Sequence, residues 1–211
     1  DGQNKKISGL RINTTSNYVG LIGFTYDFDG GFIKNLTFDN AVIKGAMYVG
    51  TAVGNAQNGF VVENIHVTNS TIEGTNTVGA ITGRVYHRTM LSSGVEVAEK
   101  MSSIINCSTD QNTTVKGGSN VGGITGSNYG SIVAYCVNNA DVIGKDQVGG
   151  IAGIISGQTL DGATVENVTL SCGDHRVGIV AGAKGTIGDV TNVTYSNVAG
   201  ATEIIGAPYK K

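Results

Sequence analysis

The stretch Val78-Gly79-Ala80-Ile81-Thr82-Gly83 decides the fold of this 211-residue chain, because similar stretches recur along its whole length. The copies begin at Val19, Val49, Val121, Val148, Val177 and, in faded form, at Ile205. Five of the six intervals between these starting residues are 27 to 30 residues long, and the interval from Val78 to Val121 is 43. A period of this length indicates a repeat architecture in which each repeat is one structural unit.

Two further stretches with alternating apolar and polar residues recur within each period. A middle stretch such as Val62–Val67 is followed by a shorter one such as Ser70–Gly74. This alternation is typical of strands, and the Gly and Asn residues between the stretches suit tight corners. Three strands per period, repeated without change of type, favour one period per coil, with each strand paired in parallel with its copy in the next coil. The crossover rule favours a right-handed path.

We therefore predict an all-β fold, a right-handed parallel β-helix (β-solenoid) with about seven coils of 27 to 30 residues. The solenoid is predicted to be one domain over residues 1–206, with an insertion at 84–103 and a C-terminal tail at 207–211. Insertions leave a solenoid from one face and often carry binding, so we place the contact region in this insertion. The predicted binding residues are Arg84, Tyr86, His87, Arg88, Glu96, Glu99 and Lys100.

Composition excludes several classes of partner. The chain contains 33 glycines but a single proline, which favours an ordered, turn-rich fold over a disordered linker. Its net charge of −2 and its low share of charged residues, 14%, predict no nucleic-acid partner. No apolar run approaches the roughly 20 residues of a membrane helix, and the polar start predicts no signal peptide. We expect a soluble chain without membrane insertion, either mature or a piece of a longer protein with other domains.

The repeat resembles a known family. The phrase Val121–Gly126, the Asn106-Cys107 step of the middle stretch and the Val115-Lys116-Gly117 step resemble the GLUG repeat, and the likeness covers nearly all of the chain. Similar repeats occur in surface proteins of gut Bacteroidetes and in zinc-dependent IgA-cleaving metallopeptidases. The resemblance implies a non-catalytic, extracellular module of a bacterial surface protein, attached in some relatives to the outer membrane and acting in adhesion. The zinc-binding His-Glu-x-x-His motif of those peptidases is absent from this sequence.

The sequence predicts no metal and no cofactor. The three histidines, at His66, His87 and His175, fall in different coils without the converging spacing that a zinc site needs. Asp27 and Asp29 offer oxygen atoms that suit calcium, or they form a polar turn, which is the reading we favour.

The three cysteines leave two alternatives. Cys107 and Cys136 occupy the same position one coil apart, within the range of a disulfide. Cysteine is also a good small core residue, so stacked, reduced thiols are the favoured reading. Cys172 is predicted to be unpaired.

Catalysis finds little support in the sequence. Polysaccharide-cleaving β-helices need clustered carboxylates on one face, whereas the outward positions of the middle strands read Lys34, Glu63 and Glu166. We see no rows of exposed aromatic residues that would favour sugar binding. We predict no catalytic residue, and an adhesion module whose partner is a host or cell-surface protein or glycan. The alternatives are a carbohydrate-binding or carbohydrate-active β-helix and a rigid spacer.

Overall fold

Short parallel strands stack coil upon coil in the computed structural model, which describes residues 1–25, 31–87, 101–174, 176–185 and 188–206. Every strand pairing within these ranges is parallel and joins equivalent positions of neighbouring repeats, as in Val78 with Val121 and Val121 with Val148. The described residues contain no helix. The predicted β-solenoid is therefore confirmed. It has about six coils, followed by strands of an incomplete seventh, where the sequence predicted about seven.

The described residues form three sheets. The main sheet, built from the middle and shorter stretches, contains β1 Lys5–Ser8, β2 Arg11–Asn13, β4 Phe32–Asp39, β5 Val42–Lys44, β8 Val61–Thr68, β9 Thr71–Glu73, β12 Ser103–Ile105, β13 Ser108–Thr109, β14 Thr114–Lys116, β17 Ile132–Ala134, β18 Val137–Asn138, β19 Asp141–Gly144, β22 Leu160–Asp161, β23 Thr164–Cys172, β26 Val190–Thr191 and β27 Thr194–Ala199. The five-stranded sheet contains β6 Met47–Val49, β10 Asn76–Gly79, β15 Ser119–Gly122, β20 Asp146–Gly149 and β24 Val177–Gly178. The six-stranded sheet contains β3 Ile22–Phe24, β7 Val53–Gln57, β11 Thr82–Tyr86, β16 Thr125–Tyr129, β21 Ala152–Ser156 and β25 Ala181–Lys184.

The repeated Val-Gly phrase forms a corner between two strands, whereas the sequence predicted that it is one of three single strands in each coil. In the copy that begins at Val78, β10 ends at Gly79 and β11 begins at Thr82, so the chain passes between two sheets over Ala80-Ile81. A Cβ atom on Gly79 would lie 2.3 Å from the carbonyl oxygen of Thr82, which no side chain can tolerate. The corner therefore requires glycine at this position, and Ile81 beside it is fully buried.

The last glycine of the phrase allows neighbouring coils to approach closely. A Cβ atom on Gly83 would lie 2.3 Å from the carbonyl carbon of Tyr48, and one on Gly126 would lie 2.5 Å from that of Thr77. Neither glycine has a positive φ. The repeated glycines thus provide space between backbones, which was one of the two roles that the sequence predicted for them; the other role, a positive φ angle at a corner, is wrong for these glycines.

Positive φ angles fall instead on the residue that precedes the valine of the phrase. The φ angles at this position are 58° at Tyr18, 59° at Tyr48, 55° at Thr77, 53° at Asn120 and 53° at Gln147. This left-handed conformation is uncommon for residues other than glycine, Asn and Asp, and it is strained for a β-branched residue such as Thr77. Five consecutive copies therefore share an unusual backbone conformation beside the corner, and it positions the side chains described below.

The core is a set of apolar ladders along the solenoid axis. Ile81, Ile124 and Ile151 are fully buried at equivalent positions of three successive corners. Cys107 and Cys136 are also fully buried and, like Cys172, are free thiols, in agreement with the favoured prediction. Burial raises the pKa of the Cys107 thiol well above its ordinary value, and the neighbouring Cys136 raises it further. These thiols therefore pack as apolar core groups.

The interruption of the repeat is shorter than the predicted insertion at 84–103. Arg84 to Tyr86 belong to β11, which pairs with β7 and β16 on either side, and Ser103 begins β12. The interrupting segment therefore lies within 87–102. Residues 88–100 and the tail at 207–211 lie outside the described residues.

Candidate functional site

A groove opens on the surface beside three successive copies of the Val-Gly corner. Its walls combine side chains that precede the valine of the phrase with outward-facing side chains of β11 and β16. We call it the tyrosine–arginine groove, and it is lined by Tyr48, Thr77, Arg84, Tyr86, Asn120, Ser127 and Tyr129. The cavity has a volume of about 230 Å³. It exists because stacking brings residues from positions 48 to 129 of the sequence to one surface.

Aromatic rings and the Arg84 guanidinium form a continuous stack along one side of the groove. The Tyr18 and Tyr48 rings are parallel within 10°, with centroids 5.1 Å apart. The Cζ atom of Arg84 lies 4.5 Å from the Tyr48 ring centroid and 5.0 Å from the Tyr86 ring centroid. A guanidinium this close to two aromatic rings is attracted to both by cation–π interaction. The rings therefore fix the cation in one orientation.

The charge of Arg84 is not compensated within the described part of the chain. Its Nε atom donates a hydrogen bond of 3.1 Å to Oδ1 of Asn55, which is fully buried. Among the described residues, Arg84 forms no ion pair with a carboxylate, and its Nη atoms donate no hydrogen bond. The Asn55 contact fixes the Nε edge of the guanidinium, so the Nη donors remain for another molecule.

Three polar atoms at or beside the groove also have no hydrogen-bond partner among the described residues. The Oδ1 atom of Asn120, which lines the groove, is buried and accepts no hydrogen bond, and Nδ2 of Asn55 donates none. Next to Tyr86, the buried Nδ1 atom of His87 is likewise without a partner, although the His87 backbone N–H donates to the Tyr129 carbonyl oxygen at 2.8 Å. Buried polar atoms without partners are costly in folded proteins, and sites that bind ligands are a recognised exception.

The structure brings some of the predicted binding residues together. Arg84 and Tyr86 line the groove and His87 lies directly beside it. The remaining predicted residues, Arg88, Glu96, Glu99 and Lys100, lie outside the described residues.

Sequence reasoning missed the aromatic side of the groove. The sequence did not predict that Tyr18 stacks on Tyr48 or that Tyr86 lies in register with Tyr129. Tyr18 is 40% exposed, and the other three are partly buried. A signal was present: Tyr18 and Tyr48 both precede the first valine of their repeat, and Tyr86 and Tyr129 both follow it by eight residues.

Two other ionisable side chains, those of His66 and Asp39, have hydrogen-bond partners. The ring nitrogens of His66 contact Ser108 Oγ at 2.7 Å and Asn64 Oδ1 at 2.9 Å. Hydrogen bonds, first from Asn69 and then from Thr68, hold the pKa of Asp39 below its ordinary value, which is the opposite of what a general acid needs.

No three His, Cys, Asp or Glu side chains of the described residues are arranged to hold a metal ion. Two groups that the sequence analysis weighed, the Asp27 and Asp29 pair and His175, lie outside the described residues. Within the described ranges no helix is long and apolar enough to cross a membrane.

Comparison with known proteins supports the fold and leaves the family open. No family model matches this sequence, so the GLUG resemblance is not confirmed, and no curated protein matches it either. Among solved structures, the chain is similar to "a putative immunoglobulin A1 protease from Bacteroides ovatus", with a TM-score of 0.63 and 21% sequence identity. The alignment covers 92% of this chain and 58% of that one, so this chain spans little more than half of its structural neighbour. At this identity the likeness shows a shared β-solenoid fold.

Proposed function

We propose that this chain is a non-catalytic binding module of an extracellular bacterial surface protein, acting in adhesion, with the tyrosine–arginine groove as its ligand surface. The observation that carries the proposal is the charge of Arg84, which no described carboxylate compensates and which lies close to the Tyr48 and Tyr86 rings beside an open cavity. A fixed cation with free donors and aromatic neighbours is an arrangement that recognises a partner.

The extracellular assignment is supported by the neighbour and by the repeat. The similar structure comes from Bacteroides ovatus and is named for a protease that acts on an immunoglobulin. The resemblance to the GLUG repeat also implies an extracellular location on a bacterial surface. Because the present chain aligns with only 58% of that neighbour, we propose that it acts as one module of a larger surface protein.

The lining of the groove favours binding over turnover. A glycoside-cleaving site needs a pair of carboxyl groups, one of them with a raised pKa. The lining contains tyrosine, arginine, threonine, serine and asparagine, and none of its described side chains is an aspartate, glutamate or histidine. We therefore favour the binding module over the carbohydrate-active alternative.

The proposal is tested with beads that carry the intact chain. We expect them to adhere to cultured epithelial cells or to mucin-coated surfaces, and we expect Arg84→Gln to reduce adhesion severalfold. The matched control is Lys116→Gln, which also removes one positive charge but lies exposed on β14 of the main sheet, away from the groove.

The outcomes separate the three readings of the function. Equal losses in the two variants would show that net charge, and not the groove, controls adhesion. Beads that adhere to no surface would favour the spacer reading and overturn the proposal. Depolymerisation of any polysaccharide by the purified chain would overturn the non-catalytic assignment.

A further inference from the structure

We infer that the tyrosine–arginine groove binds a sugar residue that carries a carboxylate, as part of a glycan on the surface of the adhesion partner. The inference rests on the proposed function and specifies the ligand of the same site. Three properties of the groove carry it: the charge of its cation, the size and walls of its cavity, and the polarity of its unpaired atoms.

The first property is charge. Arg84 is the one charged side chain among the described residues of the lining, and no described carboxylate neutralises it. Its Nε atom donates to Asn55 and its Cζ atom lies close to the Tyr48 and Tyr86 rings, and its Nη atoms donate to none of the described residues, so they are the donors left for a ligand. Guanidinium N–H groups match the two oxygens of a carboxylate, and such charge-assisted hydrogen bonds are about twice as strong as neutral ones. The groove is therefore selective for an anion.

The second property is the shape of the cavity. Its volume of about 230 Å³ is below the roughly 300–1,000 Å³ of sites that hold drug-sized ligands, which suits a single ring. The Tyr86 and Tyr129 rings meet at 69° with centroids 6.4 Å apart, so they form two walls that differ in direction. The C–H face of a pyranose ring packs on an aromatic face and buries apolar area there. A sugar ring thus fits the walls while its carboxylate reaches Arg84.

The third property separates a sugar acid from a simple anion. Oδ1 of Asn120 is a buried acceptor with no hydrogen bond from the described residues, and a donor on the ligand would satisfy it. An ionised carboxylate alone supplies acceptors only, whereas the hydroxyl groups of a sugar donate as well as accept. The hydroxyl of Ser127, on the same lining, adds a second adaptable polar group.

The test compares acidic and neutral forms of the same sugar on the intact chain. Isothermal titration uses trigalacturonate and sialyllactose as two sources of a sugar carboxylate, and their methyl esters as matched neutral ligands. We expect at least one acid to bind with a Kd at least about tenfold lower than that of its ester. Tetraglutamate and inorganic phosphate serve as anions without a sugar ring, and we expect both to bind more weakly than the preferred sugar acid.

Substitutions locate the binding. Arg84→Gln is expected to raise the Kd of the preferred acid at least about tenfold and to abolish the preference for acid over ester. Arg84→Lys keeps the charge without the fork of donors and is expected to give an intermediate Kd. Lys116→Gln is expected to leave the Kd unchanged. Thermal unfolding of each variant checks that it folds. If Arg84→Gln fails to fold, the comparison of acid with ester on the unaltered chain still tests the inference.

Each outcome has a defined meaning. Equal Kd values for acid and ester, or a Kd for the acid that Arg84→Gln leaves unchanged, would overturn the inference. Tighter binding of tetraglutamate than of both sugar acids would assign the groove to acidic peptides and would also overturn it. If beads adhere to cells in an Arg84-dependent manner while no sugar acid binds, the inference falls and the adhesion role stands. If a sugar acid binds and beads do not adhere, the inference stands and the adhesion role falls.

Discussion

Replacement of Gly126 by alanine tests whether the repeated glycines are needed for contact between coils. A Cβ atom at this position would lie 2.5 Å from the carbonyl carbon of Thr77, 2.5 Å from the amide nitrogen of Val78 and 2.7 Å from the carbonyl oxygen of Gly83. All three atoms belong to the backbone of the preceding coil, so no side-chain rotation relieves the overlap. The backbone of one coil must move away from that of the next.

The expected cost follows from the size of this overlap. Ordinary contacts between carbon atoms are about 3.5–4.0 Å, so the methyl group overlaps its neighbours by about 1 Å. Overpacking typically costs about 1–3 kcal/mol, and a rigid backbone neighbour places Gly126→Ala near the upper end. Alanine also lowers the conformational entropy of the unfolded chain, and this stabilises the folded state by about 0.4–1 kcal/mol. The net free energy of unfolding should therefore fall by about 2 kcal/mol or more.

Gly173→Ala is the matched control, because Gly173 is exposed and has no positive φ. The nearest atom to a Cβ on Gly173 is the Lys145 carbonyl oxygen at 3.3 Å, so we expect a change within about 0.5 kcal/mol. Urea unfolding followed by circular dichroism measures both variants. With a slope of about 2 kcal/mol per molar urea, Gly126→Ala should lower the midpoint by about 1 M. Similar midpoints for the two variants would refute the role of close approach.

Two further predictions concern titratable groups. Hydrogen bonds, first from Thr191 and then from Asn192, hold the pKa of Asp161 below its usual 3.8. The ionised Asp161 therefore stabilises the fold fully above about pH 4, and this stabilisation is lost as the pH falls through the lower folded-state pKa. In Asp161→Asn, the urea midpoint should therefore decrease less between pH 5 and lower pH than it does in the unaltered chain. In titration with a thiol reagent at pH 8, Cys172 should react before Cys107 and Cys136, because only Cys172 is partly exposed. Equal reaction rates for all three thiols in the folded chain would contradict the burial of Cys107 and Cys136.

The sequence predicted the architecture well because the repeat carries it redundantly. Every copy of the Val-Gly phrase and of the middle stretch points to the same parallel pairing, and the register of Val78 with Val121 follows from aligning the copies. The glycines of the phrase were predicted to form corners with positive φ and to let backbones pack closely; the corner and the close packing are observed, and the positive φ is not. The close contact between Gly83 and Tyr48 is made across coils, so no local pattern reveals it.

The groove could be predicted only in part, for a reason that concerns backbone conformation. The residues at the left-handed position before the valine include tyrosine and threonine, as at Tyr48 and Thr77, which carry no turn signal of their own. Only Asn120 at this position belongs to a type that favours such angles. Arg84 and Tyr86 were predicted for a different reason, their place at the start of the long interval. Their partnership with Tyr48 appears only after the coils are stacked.

The repeat itself explains why a site can arise here without disturbing the fold. Buried ladder positions such as Ile124 and close-contact positions such as Gly126 are fixed by packing with both neighbouring coils. The residue before the valine is constrained in φ, and at Tyr48 and Asn120 its side chain reaches the groove surface, so its identity varies between copies. Variation confined to outward positions of adjacent copies changes the surface and leaves the core untouched. A binding surface on such a solenoid should therefore be sought where adjacent copies carry unusual residues at equivalent outward positions, and Arg84 between two tyrosines meets that criterion.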